Sequence, residues 1–258
     1  MSFDWLPGAP WYVLAGVPLV ILAGYTVFGA TGFGSSIIAV PALAHAFPLT
    51  FAVPLVTALD CAGSTNATYR QWRRADFGEL RRLMPTMLLG LVLGATILVR
   101  LPRGPALLAL GVFVTAYGLY ALVGPPPGAA IRAGWAWPIG FAGGIFSVLF
   151  GTGGPIYMVY LSARIHDKTR LRATSSTLIT VSVWLRASVL VASGLLTTRT
   201  VLLSAAVMVP LVFAGYWAGN HLHHALSRRG VMRMIAGLLV ANGILLVVRS
   251  VPALGSAG

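Results

Sequence analysis

Two glycine-rich stretches, Thr31-Gly32-Phe33-Gly34 and its altered copy Thr152-Gly153-Gly154, indicate how this chain is organised. They begin 121 residues apart, close to half of the 258 residues, and the same offset pairs His45 with His166 without a gap. The chain is therefore predicted to contain two copies of one unit. Apolar segments interrupted by glycine at matching positions of two repeats are typical of membrane transporters, and they point to the binding site.

The composition predicts an all-α polytopic membrane protein. Hydrophobic residues make up 57% of the chain and charged residues only 9%, whereas soluble domains carry about 25% charged residues. Uncharged apolar stretches such as 6–34 and 83–99 require a lipid bilayer as their solvent. The single cysteine, Cys61, excludes an intrachain disulfide and a cysteine-rich metal site.

Ten apolar segments, five in each unit, are predicted along the chain. The first repeat covers 1–124, a Pro/Gly linker covers 125–130, and the second repeat covers 131–258, because the run Gly124-Pro-Pro-Pro-Gly128 cannot be helical. The predicted segments are 10–29, 33–47, 50–69, 80–99 and 104–124, followed by 133–150, 155–166, 171–194, 200–219 and 231–250.

The basic residues predict the orientation of these segments. With alternating sides, 13 Lys and Arg residues fall on one side and four on the other, and the richer side is cytoplasmic by the positive-inside rule. Both termini are then extracytoplasmic in a cell (inner) membrane. The net charge of +13 arises from these connections, so no nucleic-acid partner is expected.

The same pattern predicts that the two repeats have inverted topology. Five segments per unit is an odd number, so the second unit must insert upside down. The connection 70–82 carries five arginines, while its counterpart at 197–200 carries one. The alternative to ten crossings is that the short segments are re-entrant.

The two short segments are predicted to begin inside the membrane. Segment 33–47 has 15 residues and reaches about 22 Å, less than the hydrocarbon core of about 30 Å. Its counterpart begins with Pro155, which suits the first turn of a helix. Two helix N-termini then point toward the midplane from opposite sides, and their free N–H groups and partial positive charge favour a small anion.

The predicted substrate-binding residues fall into two groups. The first provides donors at the helix ends: Thr31, Gly32, Phe33, Gly34, Ser35, Ser36, Thr152, Gly153 and Gly154. The second lies in the polar segments that follow the short helices: Asn66, Ser175, Ser176 and Arg186. The alternative interpretation is that the small residues only allow close packing between helices.

Asp60 and Arg186 are the two charged residues in the middle of predicted spans. Charges inside a membrane are costly and indicate function by default. The guanidinium of Arg186 suits an oxyanion, and Asp60 is a candidate carrier of a coupled proton or cation. The alternative is a structural ion pair between the two.

Enzyme chemistry finds no support in the sequence. It contains no G-x-S-x-G, H-E-x-x-H or Walker A motif and only five acidic residues. No cofactor and no metal site are therefore expected. Two alternatives are an anion channel, with the same donors forming a filter, and a permease for another small anion.

The chain resembles the TauE/SafE family of membrane permeases. The resemblance is carried by Gly29-Ala-Thr-Gly-Phe-Gly-Ser-Ser-Ile-Ile-Ala-Val-Pro41, by Ala52-Val-Pro-Leu-Val56 and by Phe150-Gly-Thr-Gly-Gly-Pro155. It implies a secondary transporter that exports a small sulfur-containing anion, sulfite or an organosulfonate, by alternating access. A homodimer is also a family-level expectation. Phe33 stands where the second half has Gly154, so the two halves of the site differ.

Overall fold

A computed structural model describes residues 11–31, 34–69, 72–123, 131–225 and 228–255 of the chain. In these ranges the chain forms α-helices and two short 3₁₀ helices, with no strand. The α-helices are α1 (Trp11–Thr31), α2 (Ser35–Ala44), α3 (Leu49–Tyr69), α4 (Phe77–Arg100), α5 (Arg103–Val123), α6 (Ala136–Phe150), α7 (Gly153–Arg164), α8 (Lys168–Ala192), α9 (Arg199–Ala225) and α10 (Arg228–Gly255). The predicted all-α class is confirmed, and each predicted segment corresponds to one of these ten helices.

Several of these helices have the length and composition of membrane spans. Among the described residues, five stretches are long and apolar enough to cross a bilayer. They are Phe77–Arg100, Gly104–Val123, Ala133–Phe150, Thr169–Ala192 and Arg199–His221. Shorter apolar stretches occur in α1, α2, α3 and α10.

The short helix α7 folds back along α6. Its last residue, Arg164, donates from Nη1 to the carbonyl oxygen of Ile131 at 3.5 Å, and the hydroxyl of Tyr160 donates to the carbonyl oxygen of Ala133 at 3.4 Å. Both carbonyls lie just before the start of α6, so α6 and α7 enter and leave at the same end of the molecule.

The helices α1 and α2 form a second hairpin. A Cβ placed on Gly24 of α1 would lie 3.1 Å from the carbonyl oxygen of Ser35 and 3.8 Å from Cβ of Ala39, both on α2. With 10 and 12 residues, α2 and α7 reach about 15 and 18 Å, too short to cross a hydrocarbon core of about 30 Å. The lengths of α2 and α7 therefore favour the re-entrant alternative, while the number of membrane crossings stays a prediction.

The packing of the helices is reciprocal between the two units. Helix α1 packs on α9 and α4 packs on α6, while α3 packs on α8 and α5 on α10. If each helix of α1–α5 is exchanged with its counterpart in α6–α10, the α1–α9 pair becomes the α6–α4 pair. The α3–α8 and α5–α10 pairs are converted into themselves. This reciprocity is expected of a duplicated unit. The inverted orientation and the boundaries of the two repeats stay predictions.

Glycines allow the α4–α6 pair to approach closely. A Cβ on Gly144 of α6 would lie 2.3 Å from the carbonyl oxygen of Met87, and one on Gly90 of α4 would lie 2.1 Å from the carbonyl oxygen of Phe141. Close backbone approach through small residues is the usual packing of membrane helices. Glycine therefore has two roles in this chain. It allows close packing between the long helices, and it forms the breaks before α2 and α7.

The N-termini of the helices divide into two kinds. Helix α4 is capped by Asp76, whose carboxylate accepts from the N–H groups of Gly78 and Glu79 at 3.0 and 3.3 Å. Helix α8 is capped by Asp167, which accepts from the N–H of Arg170 at 2.6 Å. Neither α2 nor α7 has a side-chain cap. Their N-terminal donors are therefore not covered by a side chain of their own cap residues.

An ionic cluster ties three helices together at the end of the molecule where arginine is abundant. Glu79 of α4 accepts from Arg82 at 2.8 Å, from Arg164 at 2.9 Å and from the hydroxyl of Tyr160 at 2.5 Å. The carboxylate of Asp76 pairs with Arg170 at 2.9 Å. These contacts place the start of α4, the end of α7 and the start of α8 at a single end of the molecule, in agreement with the predicted grouping of basic residues.

Candidate functional site

A polar cavity of about 40 Å³ lies between the two helix breaks. It receives residues from α1, α2, α3, α6, α7 and α8, so both halves of the chain contribute. Its lining consists of Phe28, Gly34, Ser35, Ser36, Ile37, Asp60, Ser64, Ser147, Gly151, Thr152, Gly153, Gly154, Pro155, Tyr157, Ile179, Ser182, Val183 and Arg186.

Two glycines in left-handed conformation shape the breaks. Gly34, just before α2, has φ of 103°, and Gly151, between α6 and α7, has φ of 70°. Only glycine adopts such angles at little cost. The reversal of the chain at these residues brings the first turns of α2 and α7 to the cavity.

The carboxylate of Asp60 is surrounded by donors. Its Oδ1 accepts from the hydroxyls of Tyr25 and Ser35, each at 2.7 Å. Its Oδ2 accepts from the hydroxyl of Ser36 at 2.5 Å and from Nη2 of Arg186 at 2.9 Å. Asp60 is 4% exposed and Arg186 is 1% exposed. A buried carboxylate is tolerated when it is paired and hydrogen-bonded, and both conditions hold here.

Arg186 joins the two halves of the site. Its Nη2 binds Asp60 of α3, and its Nη1 donates to the carbonyl oxygen of Ser147 in α6 at 2.9 Å. The third donor, Nε, is buried and has no hydrogen-bond partner among the described residues. The predicted ion pair is therefore present, yet it leaves part of the guanidinium unused.

Three hydroxyls of the lining also lack partners. Ser64 Oγ, Thr152 Oγ1 and Tyr157 Oη are buried and make no hydrogen bond within the described part of the chain, and their residues are 3%, 2% and 1% exposed. Buried polar groups are normally paired because an unpaired group loses its interaction with water. Together with Nε of Arg186, these atoms favour a polar occupant.

Most of the predicted site residues meet at this cavity. Gly34, Ser35 and Ser36 lie on its α2 side. Thr152, Gly153 and Gly154 lie on its α7 side, and Asp60 and Arg186 lie between the two. Their roles toward a substrate stay predictions.

Ser175 and Ser176 do not line the cavity. The hydroxyl of Ser175 donates to the carbonyl oxygen of Arg172 at 3.1 Å, and that of Ser176 contacts the hydroxyl of Thr68 on α3 at 3.0 Å. The reason is distance along α8, because ten residues of helix separate Ser176 from Arg186 by about 15 Å.

The remaining predicted residues lie outside the described part of the structure. These are Gly32 and Phe33, together with the side chains of Thr31 and Asn66.

The cavity also contains polar residues that the prediction omitted. Ser64 follows Asp60 by four residues and Ser182 precedes Arg186 by four, and residues at this spacing share a helix face. Helical spacing from the two charges would have identified both. The hydroxyl of Ser182 lies 3.2 Å from that of Ser147. Tyr25 offered no such signal, because it reaches Asp60 from another helix.

The chemistry of the cavity suits recognition of a small anion. One carboxylate and one guanidinium balance each other, while two helix N-termini add partial positive charge. The described residues contain no group of three or more His, Cys, Asp or Glu side chains that could hold a metal ion.

Short helices from the two halves of a chain whose N-termini meet at a buried site are a feature of membrane transporters. The chain belongs to the TauE/SafE family, because the family model described as "Sulfite exporter TauE/SafE" matches residues 17–246. A probable inner membrane transporter protein of Comamonas testosteroni, TsaS, is 26% identical over 191 residues, which cover 74% of this chain and 80% of the relative. No solved structure matches. The protein is thus a membrane transporter of this family.

Proposed function

We propose that this protein is a secondary transporter of the inner membrane that exports a small sulfur oxyanion, either sulfite or an organosulfonate. The family description names sulfite export, and the similar Comamonas protein is named a probable inner membrane transporter. The cavity chemistry agrees with an oxyanion as the substrate class.

The observation that supports the proposal best is the position of the Arg186 guanidinium. It is buried beside the N-termini of two helices without side-chain caps, and Nε remains unpaired after the contacts to Asp60 and Ser147. A guanidinium with a free donor and nearby backbone N–H groups can bind several oxygens of one oxyanion. A purely structural ion pair would need no unpaired hydroxyls around it.

The size of the cavity favours a small ligand. About 40 Å³ compares with the 10–15 Å³ that one water molecule needs by the same measure, so the space corresponds to roughly three water molecules. A sulfite ion or a sulfonate headgroup is of this size. A bulky organic anion would require a wider conformation.

The hairpin architecture fits alternating access. One hairpin comes from each half of the chain, and the two meet at the cavity, which the long helices α3 and α8 also line. Hydroxyl groups of α3 and α8 contact each other beside the site, with Thr68 Oγ1 lying 2.6 Å from Thr180 Oγ1. Movement of one unit against the other would expose the cavity first to one side and then to the other. An inside-negative potential favours export of an anion by about 2.3 kcal/mol per charge per 100 mV.

Ligand-dependent thermal stabilisation of the purified protein tests the proposal. Sulfite, sulfate, taurine, sulfoacetate and chloride are compared at equal ionic strength, since a ligand that binds the folded state raises its stability. We expect selective stabilisation by a sulfur oxyanion. The absence of a response to every sulfur oxyanion would overturn the proposed substrate class.

A pair of matched variants tests whether the cavity is the binding site. Thr152→Val removes the unpaired hydroxyl at the start of α7, and Thr57→Val makes the same change at a buried site of α3, whose hydroxyl donates to its own helix. A hydrogen bond to a charged group contributes about 1.5–3 kcal/mol, so Thr152→Val should weaken binding roughly 10- to 100-fold. Equal affinities in the two variants would exclude Thr152 as a ligand.

Transport in proteoliposomes separates the transporter from the channel alternative. Saturable uptake and counterflow of the labelled anion are expected of a transporter. Conductance that does not saturate and lacks counterflow would indicate a channel.

A further inference from the structure

We infer that Asp60 acts as a fixed internal anion that restricts the substrate of this site to a single negative charge. The inference rests on the proposed function, and it adds a rule for selecting among sulfur oxyanions. It arises from an asymmetry between the two sides of the cavity.

The α2 side of the cavity is already occupied by a carboxylate. The hydroxyls of Ser35 and Ser36, in the first turn of α2, both donate to Asp60. Tyr25 and Nη2 of Arg186 complete the four contacts. Asp60 therefore holds the position that an external anion would take at this helix N-terminus.

The α7 side of the cavity has unused donors. Thr152 precedes α7 without capping it, and its buried hydroxyl has no partner within the described residues. The hydroxyl of Tyr157, on α7 itself, is also unpaired within the described residues, as are Nε of Arg186 and the hydroxyl of Ser64, and all three residues line the same cavity. A substrate headgroup is thus assigned to the α7 side, facing Asp60 across the cavity.

The balance of charges sets the limit on the substrate. Among the described residues, Asp60 and Arg186 are the only charged side chains in the lining, and together they are neutral. The N-terminus of α7 contributes about half a positive charge, and that of α2 faces Asp60. One negative charge on the substrate is well matched, whereas a second would lie a few ångströms from the Asp60 carboxylate in a poorly screened environment.

Asp60→Asn tests the inference, because the amide keeps the size of the side chain and removes its charge. Binding of methanesulfonate and of sulfate to the purified full-length protein is measured by thermal stabilisation at fixed neutral pH and ionic strength. Methanesulfonate carries one negative charge and three oxygens on its sulfur, and sulfate carries two negative charges and four oxygens. The wild type should prefer methanesulfonate, and Asp60→Asn should shift the ratio of affinities toward sulfate on the order of tenfold.

The matched control is Asp76→Asn. This change neutralises a carboxylate that caps α4 and pairs with Arg170 outside the cavity. The ratio of affinities should stay at the wild-type value. An Asp60→Asn protein that binds both anions in the wild-type ratio would overturn the inference.

The two proposals fail in different ways. If the wild type responds to neither anion, the inference fails, and if it also responds to none of sulfite, taurine and sulfoacetate, the proposed function fails with it. If it binds sulfate as tightly as methanesulfonate, the inference alone fails, whatever the behaviour of the variant. Should Asp60→Asn not fold, Asp60→Ser removes the same charge with a smaller side chain, and the same shift toward sulfate is required of it.

Discussion

Replacement of Gly144 by alanine perturbs a close backbone contact between α4 and α6 that lies away from the site. The added Cβ would lie 2.3 Å from the carbonyl oxygen of Met87, 2.9 Å from the N atom of Leu91 and 3.0 Å from Cα of Gly90. All three are backbone atoms, so no side-chain rotation relieves the overlap. Ordinary contact begins at 3.4 Å, and the two helices would have to separate by about 1 Å to reach it.

The expected cost follows from the rigidity of these neighbours. Overpacking a well-packed interface typically costs about 1–3 kcal/mol. For a protein of this size, 1 kcal/mol shifts the unfolding midpoint by about 2–4 °C. Gly144→Ala should therefore lower the midpoint by roughly 2–12 °C. Thermal unfolding of the detergent-purified protein, followed by far-UV circular dichroism, measures this shift.

Gly237→Ala is the matched control for this experiment. Gly237 lies in α10, and a Cβ there meets no atom within 4 Å. Its midpoint should be unchanged or slightly higher, because alanine favours a helix over glycine by up to about 1 kcal/mol. If the unfolding midpoint of Gly144→Ala equals that of the wild type or of this control, the close packing of α4 on α6 is refuted.

Three further predictions concern the break, the ionic cluster and the orientation of the chain. Gly151→Ala forces a side chain into the left-handed region at φ of 70°, which costs about 1–2 kcal/mol. We expect a lower unfolding midpoint and a weaker thermal stabilisation by anions. Wild-type values for both measurements would contradict the described shape of this break. Tyr160→Phe removes the hydroxyl that donates to the buried glutamate of α4 and should lower the midpoint relative to the wild type; an unchanged midpoint would show that this bond adds nothing. The topology is tested with single-cysteine variants made in a Cys61→Ser background. Arg73→Cys should react with a membrane-impermeant thiol reagent only from the cytoplasmic side, and Thr197→Cys only from the outside. Reaction of both variants from the same side would exclude the predicted topology.

The sequence predicts the helices well because most of the apolar segments are long and contain few charges. The ends are less certain, since hydropathy marks the apolar part of a helix and the helix itself continues into polar residues. The predicted segment 200–219 thus becomes Arg199–Ala225, which extends past Asn220 and His221. Likewise, the length of α7 shows that it cannot cross alone, but not on which side it leaves. That outcome depends on contacts such as Arg164 with Glu79, which join residues far apart in the chain.

The site is predictable in its residue types and less so in its pairings. Glycine breaks and two intramembrane charges identify the region, because both are costly in a bilayer unless they have a role. The donors around Asp60 come from three other helices, so only the fold reveals that the carboxylate is fully engaged. Ser175 and Ser176 are predicted to bind the substrate but do not line the cavity. Their polarity indicates a role inside the span but does not specify how far along the helix axis a residue lies from the cavity.

The ion pair at the centre of the cavity also bears on the ancestry of the chain. In the 121-residue register, Asp60 aligns with Val181, and Arg186 aligns with Thr65. Each half therefore supplies one of the two charges, and the matching position of the other half is neutral. Two identical copies of either half could not build this pair, because they would present only acids or only bases there. The two halves therefore carry complementary charges at these positions, and neither can be exchanged for a second copy of the other.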